Sequence, residues 1–193
     1  MITELGKWVL YNACIFGVKL NQHGYKQIVT VNVSPVQLNQ GDFVDIVAGA
    51  IRDTGIEPGN LGLEITETTL MASFEENVAK IRKLRDLGVK ILMDDFGTGY
   101  SSLYYLKDIP IDILKIDKSF IHDISHDQYS YHLTETIVNL AHRLGIQVVA
   151  EGVETREQLE ILQKFHCDMI QGFLISKPVL EPRAIHILKT GLR

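Results

Sequence analysis

The sequence contains little cysteine. Its 193 residues include two cysteines, Cys14 and Cys167, and they do not form any spacing known for metal sites. Two thiols so far apart in sequence suit a reducing compartment better than the disulfide scaffold of a small secreted protein. We therefore expect no disulfide framework, and we interpret both cysteines as buried or idle thiols.

Long apolar runs and an excess of basic residues are also missing. No segment approaches the roughly 18 apolar residues that a membrane-spanning helix needs. The first residues, MITELGKWVL, lack the basic and apolar regions of a secretion signal. Nineteen Lys and Arg residues face 24 Asp and Glu residues, a net charge of −5. We therefore predict a cytoplasmic domain that binds neither polymeric nucleic acid nor a membrane, although a small anion could bind through a metal ion.

The sequence does contain a regular alternation of short β-rich runs with longer amphipathic segments. The runs predict strands at Ile28–Ser34, Leu61–Thr66, Val89–Phe96, Ile111–Asp117, Ile146–Gly152 and Asp168–Ser176. Helical periodicity occurs at Phe43–Thr54, Phe74–Leu87, Tyr129–Leu144 and Arg156–Phe165, and an amphipathic helix begins at Ile2. This alternation is typical of βαβ units in a parallel sheet, here as one domain over residues 1–193.

Two α/β architectures fit the alternation, an open doubly wound sheet and a (β/α)8 barrel. The open sheet usually carries a glycine-rich phosphate loop, and the sequence has neither a G-x-G-x-x-G motif nor a P-loop. A barrel gathers functional side chains at the carboxyl ends of many strands. We predict a modified TIM (β/α)8 barrel that is incomplete, because about six βα units are visible where a closed barrel has eight strands.

Nearly every predicted strand ends in a polar residue. These residues are Asn32, Glu64, Asp94 with Asp95, Lys115, Glu151 and Gln171. A single acidic residue at such a position is most often a helix cap or a solvated loop charge. In a barrel, however, the strand ends converge, and a cluster of carboxylates around one lysine would attract a hard divalent cation such as Mg²⁺, Mn²⁺ or Ca²⁺. The absence of clustered His or Cys argues against zinc.

Asp94 and Asp95 are adjacent, and carboxylates at that separation raise each other's pKa, so the pair favours a bound cation. Neighbouring residues of a regular strand point to opposite faces of the sheet. Both can face one site only if the chain leaves strand geometry, and we expect the FGTG segment after them to provide that break. The following tyrosines, Tyr100, Tyr104 and Tyr105, could stack on guanine bases, but loop packing is the simpler interpretation.

Six motifs follow one another in a specific order: VNVSPVQL, LEITET, ILMDDFGTGYSSL, LKIDKSFI, VVAEGVET and QGFLISKP. Together they resemble the EAL-domain family of bacterial cyclic-di-GMP phosphodiesterases, and the resemblance extends from residue 1 to about residue 190. It implies a modified TIM barrel and two Mg²⁺ or Mn²⁺ ions. It also implies hydrolysis of cyclic-di-GMP to linear pGpG in second-messenger signalling.

The resemblance further assigns roles to single residues. The metal ligands that it implies are Asn32, Glu64, Asp94, Asp95 and Glu151, with Asp94 shared between the two ions. The residues that it implies for the chemical step are Lys115, which positions or activates the attacking water, and Glu151. The residues that it implies for support of the site are Glu67, Glu154 and Gln171.

The family's signature Glu-Ala-Leu triplet does not occur in the sequence. The resemblance places it upstream of the helix at Ile2, with two further strands, so we expect a fragment of a longer protein or a truncated gene product. Sensory or cyclase domains would precede it in a longer parent, and the open strand edges would let two copies form a homodimer. Without the signature glutamate, we expect the chain alone to hydrolyse cyclic-di-GMP very poorly.

Two functional classes are consistent with these observations. The first is a phosphodiesterase whose signature glutamate lies outside the chain. The second is a catalytically inactive EAL-like module that binds cyclic-di-GMP or a protein partner. We favour the enzyme, because every other site residue implied by the resemblance is present and a decaying site would usually lose several.

Overall fold

The computed structural model describes residues 2–97 and 106–191. The chain divides into two compact units, one formed by Met1–Leu92 with Asp108–Pro110 and the other by Met93–Lys107 with Ile111–Arg193. Six strands of the described part belong to one sheet, in which their order is the order of the chain. The α/β class and the sequential strand order agree with the prediction of a partial (β/α)8 barrel.

The first unit contains two paired strands and the helices that follow them. Its elements are α1 (Ile2–Gln22), β1 (Val29–Asn32), α2 (Pro35–Leu38), α3 (Phe43–Thr54), a 3₁₀ turn (Pro58–Asn60), β2 (Leu61–Thr66), α4 (Glu67–Ala72) and α5 (Phe74–Asp86). β1 and β2 are parallel, and Asn32 lies opposite Glu64 in the register. β3 (Lys90–Phe96) begins in this unit and ends in the other.

The second unit continues the same alternation. Its further elements are β4 (Ile113–Ile116), α6 (Lys118–His122), α7 (Gln128–Arg143), β5 (Gln147–Ala150), α8 (Arg156–Lys164), β6 (Met169–Ile170) and α9 (Glu181–Thr190). β5 pairs in parallel with β4 on one side and with β6 on the other. Lys115 lies opposite Val149 in the register, so the end of β4 and the end of β5 are adjacent.

Apolar strand residues form the core in each unit. Leu61, Leu63 and Ile65 of β2 are almost completely buried in the first unit, as are Leu114 and Ile116 of β4 in the second. Burial of each such side chain contributes about 1.5–3 kcal/mol relative to exposure. Because every residue of β4 is buried, Lys115 is held among apolar neighbours and its position is tightly constrained.

Two of the helices end close to a glycine, as the sequence pattern indicates. Gly88 and Gly145 directly follow the predicted helices Phe74–Leu87 and Tyr129–Leu144, and both adopt positive φ, at 92° and 74°. Glycine takes this conformation at little cost, and the chain can therefore turn directly from a helix into the next strand. No helix within the two described ranges has the length and apolar character needed to cross a bilayer.

The predicted last strand, Asp168–Ser176, is wrong over most of its length. The structure forms a strand only at Met169–Ile170, and the chain then turns. Gly172 packs so closely on the backbone of Val153 that a Cβ atom would overlap it. The amides of Ile175 and Ser176 donate to the carbonyl of Gly172 at 3.1 and 3.2 Å, which replaces the extended backbone by a turn.

Candidate functional site

Lys115 is the centre of a charged cluster in the second unit. Its Nζ atom lies 3.0 Å from Oδ1 of Asp94 and 2.6 Å from Oε1 of Glu151. Asp94 lies in β3, Lys115 in β4, and Glu151 directly follows β5. The amide of Glu151 donates to the carbonyl of Ile116 at 3.1 Å, so the strand ladder itself fixes where this loop begins.

Both Lys115 and Asp94 are deeply buried, with 4% and 9% of their surface exposed. An ionised side chain is expensive to remove from water unless an opposite charge compensates it at hydrogen-bonding distance. The two short contacts of Lys115 provide that compensation. The lysine is therefore held in one position between two carboxylates, unlike a surface lysine, which samples many rotamers.

Asp95 is the point at which β3 departs from strand geometry. Its φ is +55°, a left-handed conformation that is uncommon outside glycine, asparagine and aspartate. Its amide donates to Oδ1 of Asp94 at 3.1 Å. The expected break therefore occurs one step earlier than predicted, at the second aspartate, and Gly97 of the FGTG segment adds a further positive φ of 94°.

The electrostatic environment of Asp95 is negative. Partial desolvation raises the pKa of this carboxyl, and the charges of Asp94 and Asp117 raise it further. Lys115 and Lys118 act in the opposite direction, but the net shift of the Asp95 pKa is upward. An excess of negative charge remains around Asp95, and a cation bound there would relieve it.

Asp117 is a site neighbour that the sequence reasoning missed. It caps α6, and its carboxylate accepts a hydrogen bond from the amide of Ser119 at 2.9 Å. Desolvation opposes its ionisation, but hydrogen bonds from Ser119 and Lys118 outweigh that effect and lower the pKa of Asp117. The available signal was the Asp-x-Ser pattern directly after a strand, which predicts a helix cap and with it an ionised carboxylate.

The predicted residues of the first unit occupy the ends of β1 and β2. Glu64 is 7% exposed, and its carbonyl accepts a hydrogen bond from the amide of Val33 at 2.8 Å. Asn32, its register partner, is exposed. Glu67 is buried and begins α4, whose cap Thr66 accepts from the amide of Thr69. The ends of these two strands thus place an asparagine and a glutamate opposite each other in the register.

The remaining predicted residues fall into two groups. Glu154 and Gln171 are exposed in the second unit, and both are anchored through their backbones. The amide of Glu154 donates to Oε1 of Gln158 at 2.8 Å, and the amide of Gln171 donates to the carbonyl of Ala150 at 2.8 Å. The three tyrosines of the sequence analysis, Tyr100, Tyr104 and Tyr105, lie outside the described residues.

The donor set suits a hard divalent cation. Asp94, Asp95 and Glu151 offer only oxygen atoms, and three carboxylates exceed the single positive charge of Lys115. Within residues 2–97 and 106–191, no group of three or more His, Cys, Asp or Glu is already assembled as a metal shell. The residues therefore fit the charge and chemistry of such an ion, with Lys115 contributing the compensating charge in the structure.

The sequence matches the EAL domain family over residues 1–178. The chain belongs to the EAL-domain family. It is 42% identical over 180 residues to the cyclic di-GMP phosphodiesterase NbdA of Pseudomonas aeruginosa, a match that covers 93% of the chain and 23% of NbdA. The chain therefore spans about a quarter of the length of this curated relative.

Solved structures give the same result for the fold. The phosphodiesterase MucR of Pseudomonas aeruginosa, in complex with c-di-GMP, superimposes with a TM-score of 0.91 at 38% identity over 95% of this chain and 74% of that one. BlrP1 of Klebsiella pneumoniae, solved with manganese and cyclic-di-GMP, has a TM-score of 0.84 at 29% identity, over 93% of this chain and 45% of that one. The TIM-barrel-like α/β fold is thus shared with these EAL proteins.

Proposed function

We propose that the chain carries the hydrolytic site of a cyclic-di-GMP phosphodiesterase, which opens one phosphodiester bond to give linear pGpG. The observation that carries the proposal is the buried Lys115 between Asp94 and Glu151 at the ends of three strands. Membership of the EAL-domain family and the 42% identity to a cyclic di-GMP phosphodiesterase support the choice of substrate.

The chemistry required is attack of water on phosphorus and departure of the 3′-oxygen, which leaves with a proton. Negative charge increases on the phosphoryl oxygens and on the leaving oxygen as the reaction proceeds. Lys115 is a fixed cation, so it orients the attacking water and offsets that charge. Glu151, at 2.6 Å, fixes the direction of the ammonium group and thereby the direction of its N–H donors.

The proposed cofactor is a pair of Mg²⁺ or Mn²⁺ ions. Bound there, such ions supply an activated water and charge stabilisation on both oxygens of the reacting phosphate. In the second unit, Asp94, Asp95 and Glu151 would hold them, and the negative charges of Asp94 and Asp117, which help to raise the pKa of Asp95, would favour a bound cation. The assignments of Asn32 and Glu64 as ligands, and of Glu67, Glu154 and Gln171 as supporting residues, stay predictions from the resemblance.

A net charge of −5 would by itself repel a doubly anionic dinucleotide. Divalent cations in the carboxylate cluster would reverse the local potential where the phosphates bind. The cytoplasmic location, the homodimer and the preceding sensory or cyclase domains stay predictions.

The test is the product formed from cyclic-di-GMP in the presence of Mn²⁺. Two forms are compared by mass spectrometry, the 193-residue chain and a form extended at its N-terminus, because the signature triplet is absent from the sequence. We expect pGpG from the extended form and much less from the chain alone. Binding of cyclic-di-GMP without product in both forms would instead identify an inactive binding module. The form with the higher turnover, the more active form, is the one in which kcat of the variants is measured.

A further inference from the structure

Gln158 is a buried amide in the second unit that no functional assignment includes. It lies in the first turn of α8, and 4% of its surface is exposed. Its Oε1 accepts from the amides of Glu154 and Thr155 at 2.8 and 3.0 Å. Its Nε2 donates to the carbonyls of Ile121 and His122 at 3.1 and 3.3 Å. A primary amide has two donors and an acceptor oxygen with two lone pairs, so all its capacity is used.

A capping box explains only part of this set. The side chain of Thr155 accepts from the amide of Gln158, and the side chain of Gln158 accepts from the amide of Thr155, as in many helix N-termini. That motif requires one acceptor on Gln158. The bond from Glu154 and both bonds to Ile121 and His122 are additional, and a glutamate would make an equally good capping box.

The two additional acceptors belong to the last residues of α6. The last carbonyls of a helix have no partner within that helix, and when buried they need one from elsewhere. The carbonyl of Ile121 already accepts from the amides of Asp123 and Ile124. Gln158 adds a donor to this carbonyl and to that of His122, from 37 and 36 residues further along the chain. The side chain thus joins the end of α6 to the loop between β5 and α8.

These two segments carry Lys115 and Glu151. β4, with Lys115, leads through the cap Asp117 into α6, and the β5–α8 loop begins with Glu151. Gly152 touches the start of α6, since a Cβ atom there would lie 2.5 Å from the Cβ of Lys118. The two segments are therefore in contact at three places: Lys115 with Glu151 at 2.6 Å, Lys118 with Gly152, and the end of α6 with Gln158. Of these three contacts, that of Gln158 lies farthest along the chain from Lys115 and Glu151.

We propose that Gln158 is a positioning residue, which holds the β5–α8 loop against α6 and so sets Glu151 relative to Lys115. The proposal rests on the proposed function for its activity measurement, but metal binding tests it independently. Replacement of a residue that orients the ligands of a metal site without binding the metal itself commonly changes metal affinity or activity by about 10- to 100-fold.

Two substitutions separate positioning from capping. Gln158→Glu keeps the acceptor for Glu154 and Thr155 but replaces the Nε2 donor by an oxygen that repels the carbonyls of Ile121 and His122. Gln158→Met keeps the length of the side chain and removes every hydrogen bond that the side chain makes, while the backbone amide still donates to Thr155. Positioning predicts that both variants lower kcat of the more active form by about 10- to 100-fold with KM changed by less than about threefold. Capping alone predicts that Gln158→Glu behaves as the wild type.

Val138→Ala is the matched control for loss of stability. Val138 is fully buried in α7, outside the β5–α8 loop, and its truncation should weaken the same unit while leaving every hydrogen bond of Gln158 in place. With Tm measured for all variants, we expect Val138→Ala to lower Tm but to retain kcat well below Tm. In addition, Glu151→Gln should reduce kcat far less in the Gln158→Met background than in the wild type. Gln158 acts by positioning the carboxylate of Glu151, so the effects of the two substitutions should not add.

Calorimetric titration of the 193-residue chain with Mn²⁺ provides the second readout. We expect Gln158→Glu and Gln158→Met to weaken Mn²⁺ binding by about tenfold or more, and Val138→Ala to leave it unchanged. If neither form turned over cyclic-di-GMP, the proposed function would fail while this titration still decided the role of Gln158. Wild-type Mn²⁺ affinity in Gln158→Glu, or wild-type kcat in an active form, would overturn the positioning role.

Discussion

The strand ends of the two units carry different residues opposite or beside a buried carboxylate. In the first unit, the register partner of the buried Glu64 is Asn32, a neutral amide. In the second unit, the buried Asp94 contacts the ammonium group of Lys115, which also contacts Glu151. A preorganised cation can stabilise charge that appears during a reaction, whereas an amide and a carboxylate are suited to holding a metal ion. For this reason we propose that the chemical step takes place in the second unit.

Two buried side-chain amides, Asn77 in the first unit and Gln158 in the second, differ in how far along the chain their hydrogen-bond partners lie. Asn77 donates to the carbonyls of Thr69 and Leu70, eight and seven residues away, at 2.9 and 3.4 Å. Its Oδ1 has no hydrogen-bond partner among the described residues. Gln158 instead joins segments 36 and 37 residues apart and uses its whole capacity. Asn77 therefore stabilises a local turn, while Gln158 relates two segments that carry site residues.

The largest effect is expected for Lys115→Met, which removes the cation and keeps an apolar side chain of similar length. We predict a fall in kcat of the more active form by about 100- to 1,000-fold, with a much smaller change in KM, because the charge acts mainly in the transition state. Lys189→Met, on an exposed part of α9, is the control. An unchanged kcat in Lys115→Met would return Lys115 to a structural ion pair.

The next effect concerns the metal. Asp95→Asn keeps the shape of the side chain and tolerates the positive φ, but it removes one negative charge from the cluster. We predict that calorimetry with Mn²⁺ loses a binding step or shows affinity reduced by at least about tenfold. Asp123→Asn, an exposed carboxylate after α6, serves as control. Equal Mn²⁺ binding by wild type and Asp95→Asn would remove Asp95 from the ligand set.

Asn77→Ala should sharpen the comparison of the two amides. It leaves the carbonyls of Thr69 and Leu70 without their side-chain donor, which lowers the free energy of unfolding by about 1–3 kcal/mol. We expect kcat of the more active form to stay within about threefold of wild type. A loss of kcat as large as that of Gln158→Met, at an equal loss of Tm, would show that the two amides do not differ.

The smallest effect is a pH-dependent one at the cap of α7. Asp127 accepts hydrogen bonds from the side chain and the amide of Ser130 at 2.7 and 2.8 Å, and these lower its pKa. A lowered pKa stabilises the fold above the unfolded value of 3.8, and this contribution is lost as pH falls through the folded pKa. We expect Asp127→Ala to lower Tm at pH 7, with the difference shrinking below about pH 4.

Asp127→Ser is the control for this titration. A serine preserves the cap without a titratable group, so its Tm difference from the wild type should vary with pH while the hydrogen-bonded helix end is retained. A constant Tm difference between wild type and Asp127→Ala from pH 7 to pH 3 would contradict the role of the ionised cap.

Much of the fold could be predicted because local sequence determines it. The alternation of apolar runs predicts β2 and α3 with the bounds that the structure has, and the glycines at 88 and 145 predict two helix ends. The last predicted strand was wrong because its end depends on a tertiary contact. Gly172 lies against the backbone of Val153, and no pattern within residues 168–176 reveals that contact.

The candidate site shows the same division. The charge pattern at strand ends identifies Asp94, Lys115 and Glu151, and the structure brings these three together. Asp117 was missed because its place after a strand indicates an ordinary helix cap. Its effect on the pKa of Asp95 depends on the distance between the two carboxylates in the folded chain. Gln158 was missed because its partners on α6 lie far away in sequence, and only the folded chain shows that they meet.

The most direct test of the proposed hydrolysis is the fate of a labelled water. Cyclic-di-GMP is incubated with Mn²⁺ and the more active form in water enriched in oxygen-18, and the mass of the product is measured by mass spectrometry. We predict linear pGpG with one oxygen-18 atom in its terminal phosphate, formed by the wild type and strongly reduced in Lys115→Met. Absence of product in both forms with Mn²⁺ bound, or equal labelling by Lys115→Met at the wild-type rate, would contradict the account.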